Sequence, residues 1–281
     1  MKLLMTLLAG AATASAPIST TQEAAPVAIQ NPDDVAAAVT KSACANHSWN
    51  NGHQGKAPTR YLRGVALTYA ASYCAFKSGS SPATLQMSAP IGSVNTDALA
   101  FYAQKDAKSI HAATPLDRLE TDYALLLGLG MVESSGRTWI AAPYDKANPH
   151  PDASSAEAGL YQTSANSRNA DPTLRGPPAL RRVIALRGLI ASYSARPSEC
   201  RYDVFASGHD QPVTPPVGNA GADADFQQMT KQCPSFATEY AAVMLRVKRH
   251  HYGTINQRTA EVGNICILMF KQIEKIVHCT N

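Results

Sequence analysis

Residues 114–136 constrain this chain more than any other stretch. Thr114-Pro115-Leu116-Asp117 has the chemistry of a helix start, with threonine at the N-cap and proline at the first helical position. The pattern continues from Tyr123 to Val132 as Tyr-Ala-Leu-Leu-Leu-Gly-Leu-Gly-Met-Val, apolar on nearly every side. A helix with no polar face must be buried among other elements, so the fold has to be built around it. It ends at Glu133, inside Gly-Met-Val-Glu-Ser-Ser-Gly (130–136), with Gly136 as a natural stop.

Other segments supply the elements such a helix needs. Leu62, Val65, Ala66, Tyr69, Ala70 and Tyr73 recur at three- and four-residue steps, which predicts an amphipathic helix from Thr59 to Lys77. Gly79-Ser80-Ser81-Pro82 ends it. A weaker helical pattern runs from Asp97 to Ile110 and a short one over 177–196, and two final helices are expected over 223–249 and 257–278. Residues 44–58 and 207–222 read as loops, and 137–158 as a long loop or small β region. No internal repeat or domain boundary is visible, and strand signal is nearly absent. The expected fold is mainly α (α+β): helices around a buried central helix, with a small irregular or β region beside it.

Charged residues make up 16%, against roughly 25% in an average protein, which argues against a coiled coil or a charge-driven disordered chain. The net charge of +4 comes without a dense Lys/Arg stripe, so no nucleic-acid partner is expected. A mildly basic balance does suit work beside an anionic surface. Lys2, the apolar run Leu3–Ala12 and the small residues to Ala16 read as a signal peptide over 1–16, cut after Ala14 or Ala16. The run is well short of the ~20 residues a spanning helix needs, and no later segment is long and apolar enough, so no stable membrane span is expected. Residues 17–43, rich in Ala, Pro, Thr and Gln, read as a flexible leader. The expected location is secreted or periplasmic. Cys44, Cys74, Cys200, Cys233, Cys266 and Cys279 all follow the signal, and their even number points to disulfides. Nearest-neighbour pairing would join Cys44–Cys74, Cys200–Cys233 and Cys266–Cys279. No CxxC or HxxxH spacing supports a metal site, and neither metal nor cofactor is expected.

Glu133 is the residue that needs a reason. A carboxylate at the end of an apolar helix is costly to hold charged. It can pair with an arginine or point to solvent. It can also be kept protonated by burial, ready to give its proton to a leaving oxygen. Downstream, residues 156–164 read Ala-Glu-Ala-Gly-Leu-Tyr-Gln-Thr-Ser. Together, Glu133-Ser134-Ser135-Gly136 and Gly159-Leu160-Tyr161-Gln162 resemble the lytic transglycosylase and goose-type lysozyme superfamily, in which a Glu-Ser pair closes a buried helix and a Gly-Leu-x-Gln segment follows. The resemblance implies a single lysozyme-like catalytic domain with helical extensions over 44–281. It implies Glu133 as general acid, Ser134 as support, and Gly159, Leu160, Tyr161 and Gln162 along the sugar cleft. It also implies cleavage of β-1,4 bonds in peptidoglycan glycan strands. The alternatives are a non-catalytic glycan-binding protein of the same kind and a chitin-type glycosidase.

Three further features bear on that expectation. The family often carries a Tyr-Asn pair near a late glycine; here His250-His251-Tyr252-Gly253-Thr254-Ile255-Asn256 departs from the usual order, so Tyr252 and Asn256 are candidates for sugar contact and the segment reads equally as a helix-to-helix turn. Hydrolysis with inversion needs a second carboxylate, for which Asp145, Asp152 and Glu157 are candidates; Glu157 could instead pair with Arg137 or Arg168. Goose-type lysozymes have an aspartate where this chain has Ser164, which leans toward the single-carboxylate transglycosylase route. Trp139, Tyr144 and Tyr161 are candidates for stacking on sugar rings.

Overall fold

The structure, a computed structural model, describes residues 29–49, 55–104, 107–138, 152–169, 186–194 apart from 187 and 192, and 215–280 apart from 219. Helices α1 (Pro32–Lys41), α2 (Thr59–Ser78), α3 (Pro82–Met87), α4 (Ala98–Ala103) and α5 (Pro115–Ser134) form the first half. Helices α6 (Ala222–Gln232), α7 (Pro234–Val247), the short α8 (Gly253–Asn256) and α9 (Asn264–Ile276) close the chain. Two antiparallel ribbons accompany them: β1 (Ser48–Trp49) with β2 (Gly55–Lys56), and β3 (Glu157–Ala158) with β4 (Thr163–Ser164). The described residues are mostly helical with a few short strands, a mainly α fold.

Helix α5 starts as its first residues dictate. The Thr114 hydroxyl accepts the Asp117 N–H at 3.0 Å, and the Asp117 carboxylate accepts the Thr114 N–H at 2.9 Å, a reciprocal cap that satisfies two otherwise orphaned donors. Every residue from Arg118 to Met131 is buried. Helices α2, α3, α4, α7, α8 and α9 surround it, so the hydrophobic effect drives its placement at the centre. The end of α7 is fixed by a core ion pair: Arg246 and Asp97 approach to 3.1 Å with both side chains 1% exposed. Arg246 also donates to the carbonyls of Met87 and Ala89, while Asp97 caps α4 by accepting the Leu99 N–H. A buried charge so fully hydrogen-bonded holds its element in one place.

Several expectations need correction. Residues 29–43 are not a flexible leader: α1 begins behind Asn31 and Pro32, buries Val35 and Val39 completely and packs on α2. The i, i+4 valine pair in an alanine-rich run is a narrow helical stripe. The helix expected over 97–110 ends at Ala103, and the one expected over 223–249 breaks at Cys233–Pro234, where proline cannot continue the hydrogen-bond ladder. The helix expected from 257 begins at Asn264.

Nearest-neighbour disulfide pairing is overturned for two bridges. Cys44 bonds Cys266 and Cys74 bonds Cys279. The two ends of the described chain lie together, with Gln30 N–H donating to the His278 carbonyl at 3.0 Å, so α9 and the residues after it are stapled back onto the turn at Cys44 and onto α2. Cys233 is also disulfide-bonded, and its expected partner Cys200 lies outside the described residues. Disulfides are compatible with an extracellular or periplasmic location. Among the described residues no helix is long and apolar enough to cross a membrane.

Candidate active site

Glu133 sits in the last turn of α5, half-buried. The turn behind it explains the Glu-Ser-Ser-Gly sequence. Ser134 donates its hydroxyl to the Gly130 carbonyl at 3.0 Å and accepts the Arg137 N–H at 3.2 Å, capping the helix rather than facing a ligand. Ser135 and Gly136 adopt left-handed φ of 53° and 71°, and a β-carbon on Gly136 would lie 2.8 Å from the Tyr61 ring, so only glycine closes this turn.

Burial pushes the Glu133 carboxyl above the usual carboxylate range, and a hydrogen bond from Thr254 partly offsets this. The Thr254 hydroxyl donates to Glu133 Oε1 at 2.7 Å. The carbonyl end of a long helix also disfavours a negative charge, so the macrodipole acts in the same direction as burial.

The segment Gly159-Leu160-Tyr161-Gln162 is the turn joining β3 to β4. Gly159 has φ 74°, and a β-carbon there would come within 2.5 Å of the Thr230 carbonyl oxygen. The Gln162 side-chain amide donates to the Gly159 carbonyl at 2.8 Å and locks the turn. Tyr161 is fully buried, its hydroxyl 3.3 Å from that of Thr238. The turn fixes the register that sets Glu157 opposite Ser164. Burial and the nearby Glu133 charge push the Glu157 carboxyl up to about 7. Glu133 therefore stands within electrostatic reach of Glu157 and disfavours its ionisation.

Residues 249–256 form the third side. Tyr252 is buried, its hydroxyl 3.0 Å from that of Thr163, which ties the β3–β4 turn to the start of α8. The Ser164 N–H donates to His251 Nε2 at 3.5 Å. Burial, and secondarily the Lys248 charge, lower His251 to about 4, so its ring is neutral at physiological pH. Ser155, Glu157, Ser164, Asn166, Lys248, His250 and His251 line an open groove of about 560 Å³.

The structure thus brings Glu133, Glu157, Tyr252 and Thr254 together and reassigns several expected contacts. Leu160, Tyr161, Tyr252 and Gln162 are 0–4% exposed, so they hold the site and are not a surface on which a sugar could rest. Tyr161 in particular cannot stack on a ring, because Tyr61, Gly130 and Thr238 enclose it. Asn256 does not reach the carboxylates; its side chain accepts from Arg249 and donates to the His250 carbonyl. Asp152 is an exposed turn residue that accepts the N–H groups of Ser154 and Ser155. Arg168 pairs with Asp223, and Arg137 is exposed, so neither neutralises Glu157. Asp145, Trp139 and Tyr144 lie outside the described residues. Among the described residues no group of three or more His, Cys, Asp and Glu could hold a metal.

Thr254 and His251 are the functional neighbours that sequence reasoning missed. Both lie in the segment 250–256, whose sequence singles out Tyr252 and Asn256 instead. A hydroxyl three residues past a buried histidine is the only local sign. No protein-family model, curated protein or solved structure matches the chain. Chemically, two carboxyl groups with raised affinity for protons stand beside a polar groove. Two carboxyl groups so placed can differ in protonation, the arrangement needed for a proton to be given at one point and taken at another.

Proposed function

We propose that the protein cleaves β-1,4-glycosidic bonds in peptidoglycan, with Glu133 as the general acid. One observation carries this: a half-buried carboxyl at the end of a buried helix, shifted toward its neutral form and held in place by Thr254. A carboxyl shifted that way keeps its proton to higher pH than an ordinary glutamate and can give it to a leaving glycosidic oxygen. The resemblance of Glu133-Ser134-Ser135-Gly136 and Gly159-Leu160-Tyr161-Gln162 to the lytic transglycosylase and goose-type lysozyme superfamily supports the same reading. The substrate enters by the groove beside Glu157, where hydroxyl and amide side chains offer hydrogen bonds to sugar hydroxyls.

The fate of the cleaved sugar depends on the second carboxyl. With Glu133 alone, the sugar's own hydroxyl closes an anhydro ring, and Glu133 takes up that proton as base. Glu157 favours the hydrolytic course instead, because an ionised carboxylate near the acid activates water. Mass spectrometry of peptidoglycan digests separates the two: anhydro ends identify the transglycosylase, reducing ends the hydrolase. Glu133→Gln is expected to yield neither. Undiminished products from Glu133→Gln, with Glu157→Gln inactive, would assign the acid role to Glu157 and refute the proposal.

A further inference from the structure

The groove has two poles of opposite charge, and only one of them belongs to the carboxyl pair. Lys248 follows the last turn of α7, its N–H still bonded to the Met244 carbonyl at 2.8 Å, and its side chain lines the groove. It is half-buried and forms no ion pair among the described residues. Glu157 does not neutralise it: the ionisation of Glu157 is governed by burial and by Glu133, with no attractive contribution from a cation. His251, which feels the Lys248 charge, stays neutral and adds no charge of its own. The rest of the wall is formed by Ser155, Ser164, Asn166 and His250. Position is fixed from behind, since the Arg246–Asp97 pair anchors the helix end two residues earlier.

With no anion partner among the described residues, the Lys248 charge is left open to a substrate group. A neutral glycan gives it nothing beyond a hydrogen bond. A sugar bearing a carboxylate completes a charge-assisted pair. We infer that Lys248 forms a subsite for a carboxylate carried on the substrate, which makes the groove selective for acidic glycans over neutral ones. In the frame of the proposed function, on which this inference rests, that carboxylate is one carried by the stem peptide attached to muramic acid, since the lactyl carboxyl itself is consumed in the amide bond to the peptide. Uronic acid units present the same chemistry from another source.

Binding by calorimetry tests this in protein carrying Glu133→Gln, so that bound glycan stays whole. Three probes are compared: a disaccharide-peptide fragment of peptidoglycan, a neutral N-acetylglucosamine oligomer and an oligouronate. Lys248→Met, which keeps the aliphatic stem and removes the charge, is expected to weaken the disaccharide-peptide about tenfold and leave the neutral oligomer unchanged. Lys248→Arg is expected to retain the preference. Equal weakening of both ligands, no change in either, or no binding of any probe would overturn the inference. Tight, Lys248-dependent binding of the oligouronate alone would uphold the subsite and move the substrate away from peptidoglycan. Lysis of peptidoglycan that is lost in Glu133→Gln yet indifferent to Lys248→Met would refute the subsite while leaving the proposed function standing.

Discussion

Gly128→Ala in the middle of α5 sets two effects of known size against each other. Alanine is favoured over glycine inside a helix by about 1 kcal/mol, so on propensity alone the variant is more stable. The surroundings reverse this. A β-carbon at Gly128 would lie 2.0 Å from the Glu261 carbonyl oxygen and 2.9 Å from the Glu261 nitrogen. These are backbone atoms, so no side chain can swing aside. Segment 261 must retreat by about 1.4 Å to reach the 3.4 Å of ordinary contact. Overpacking of this kind costs about 1–3 kcal/mol, and a backbone obstacle belongs at the upper end. The net expectation is a loss of about 2 kcal/mol, or roughly 4–8 °C in Tm for a domain of this size. Gly253→Ala is the control, since nothing lies within 4 Å of its β-carbon; it should stay within about 0.5 kcal/mol of the parent. Calorimetric scans of the three proteins decide the matter. A Gly128→Ala protein as stable as the parent, or more so, would show that α5 is not pressed against segment 261.

Thr254→Val keeps the shape and removes the hydrogen bond that favours ionised Glu133, so the Glu133 carboxyl should hold its proton to higher pH. The alkaline limb of the pH–activity curve then moves upward, and a carboxyl titration followed by NMR moves with it; a limb that stays put or moves down would disprove the contact. Burial, together with sharing a proton with Glu274, raises Glu120 to about 8 in the fold from the ordinary 4.5. Its folded affinity for the proton exceeds the unfolded one, so the stability it contributes is full below about pH 4.5 and lost as pH rises toward 8. Urea unfolding at pH 5 and at pH 8.5 should therefore show a larger alkaline loss for the parent than for Glu120→Gln, and equal losses would exclude the effect. Because Cys74–Cys279 already closes most of the same loop, removing Cys44–Cys266 should cost about 4 kcal/mol by loop-closure entropy. A Cys44→Ala/Cys266→Ala protein with an unchanged urea midpoint would show that the bridge constrains nothing.

The central helix was legible because several local signals agree on it. Thr114, Pro115 and Asp117 encode its start, the apolar run encodes its burial, and Gly136 encodes its stop. Helix α1 was not, because Val35 and Val39 are a thin stripe in an alanine-rich run that follows a signal-like segment. Disulfide pairing was hidden for a different reason: proximity in sequence says nothing about a fold that returns its last helix to its first. Glu133 and Glu157 could be singled out from their neighbours in sequence, yet their mutual effect depends on the β3–β4 register. Thr254 reaches Glu133 across 121 residues, and no periodicity records such a contact. Tyr161 reads as available two residues after Gly159, yet Tyr61, Gly130 and Thr238 from distant parts of the chain enclose it, which no local pattern records.

That Glu133 supplies the proton which breaks a glycosidic bond is tested most directly by the rate at which purified peptidoglycan clears in suspension. Wild type and Glu133→Gln are compared at neutral pH, with matching Tm and circular dichroism showing both to be folded. Loss of a general acid should slow clearance by about 10²–10⁴-fold in Glu133→Gln. Equal clearance by the two folded proteins, or none by wild type, would contradict the account.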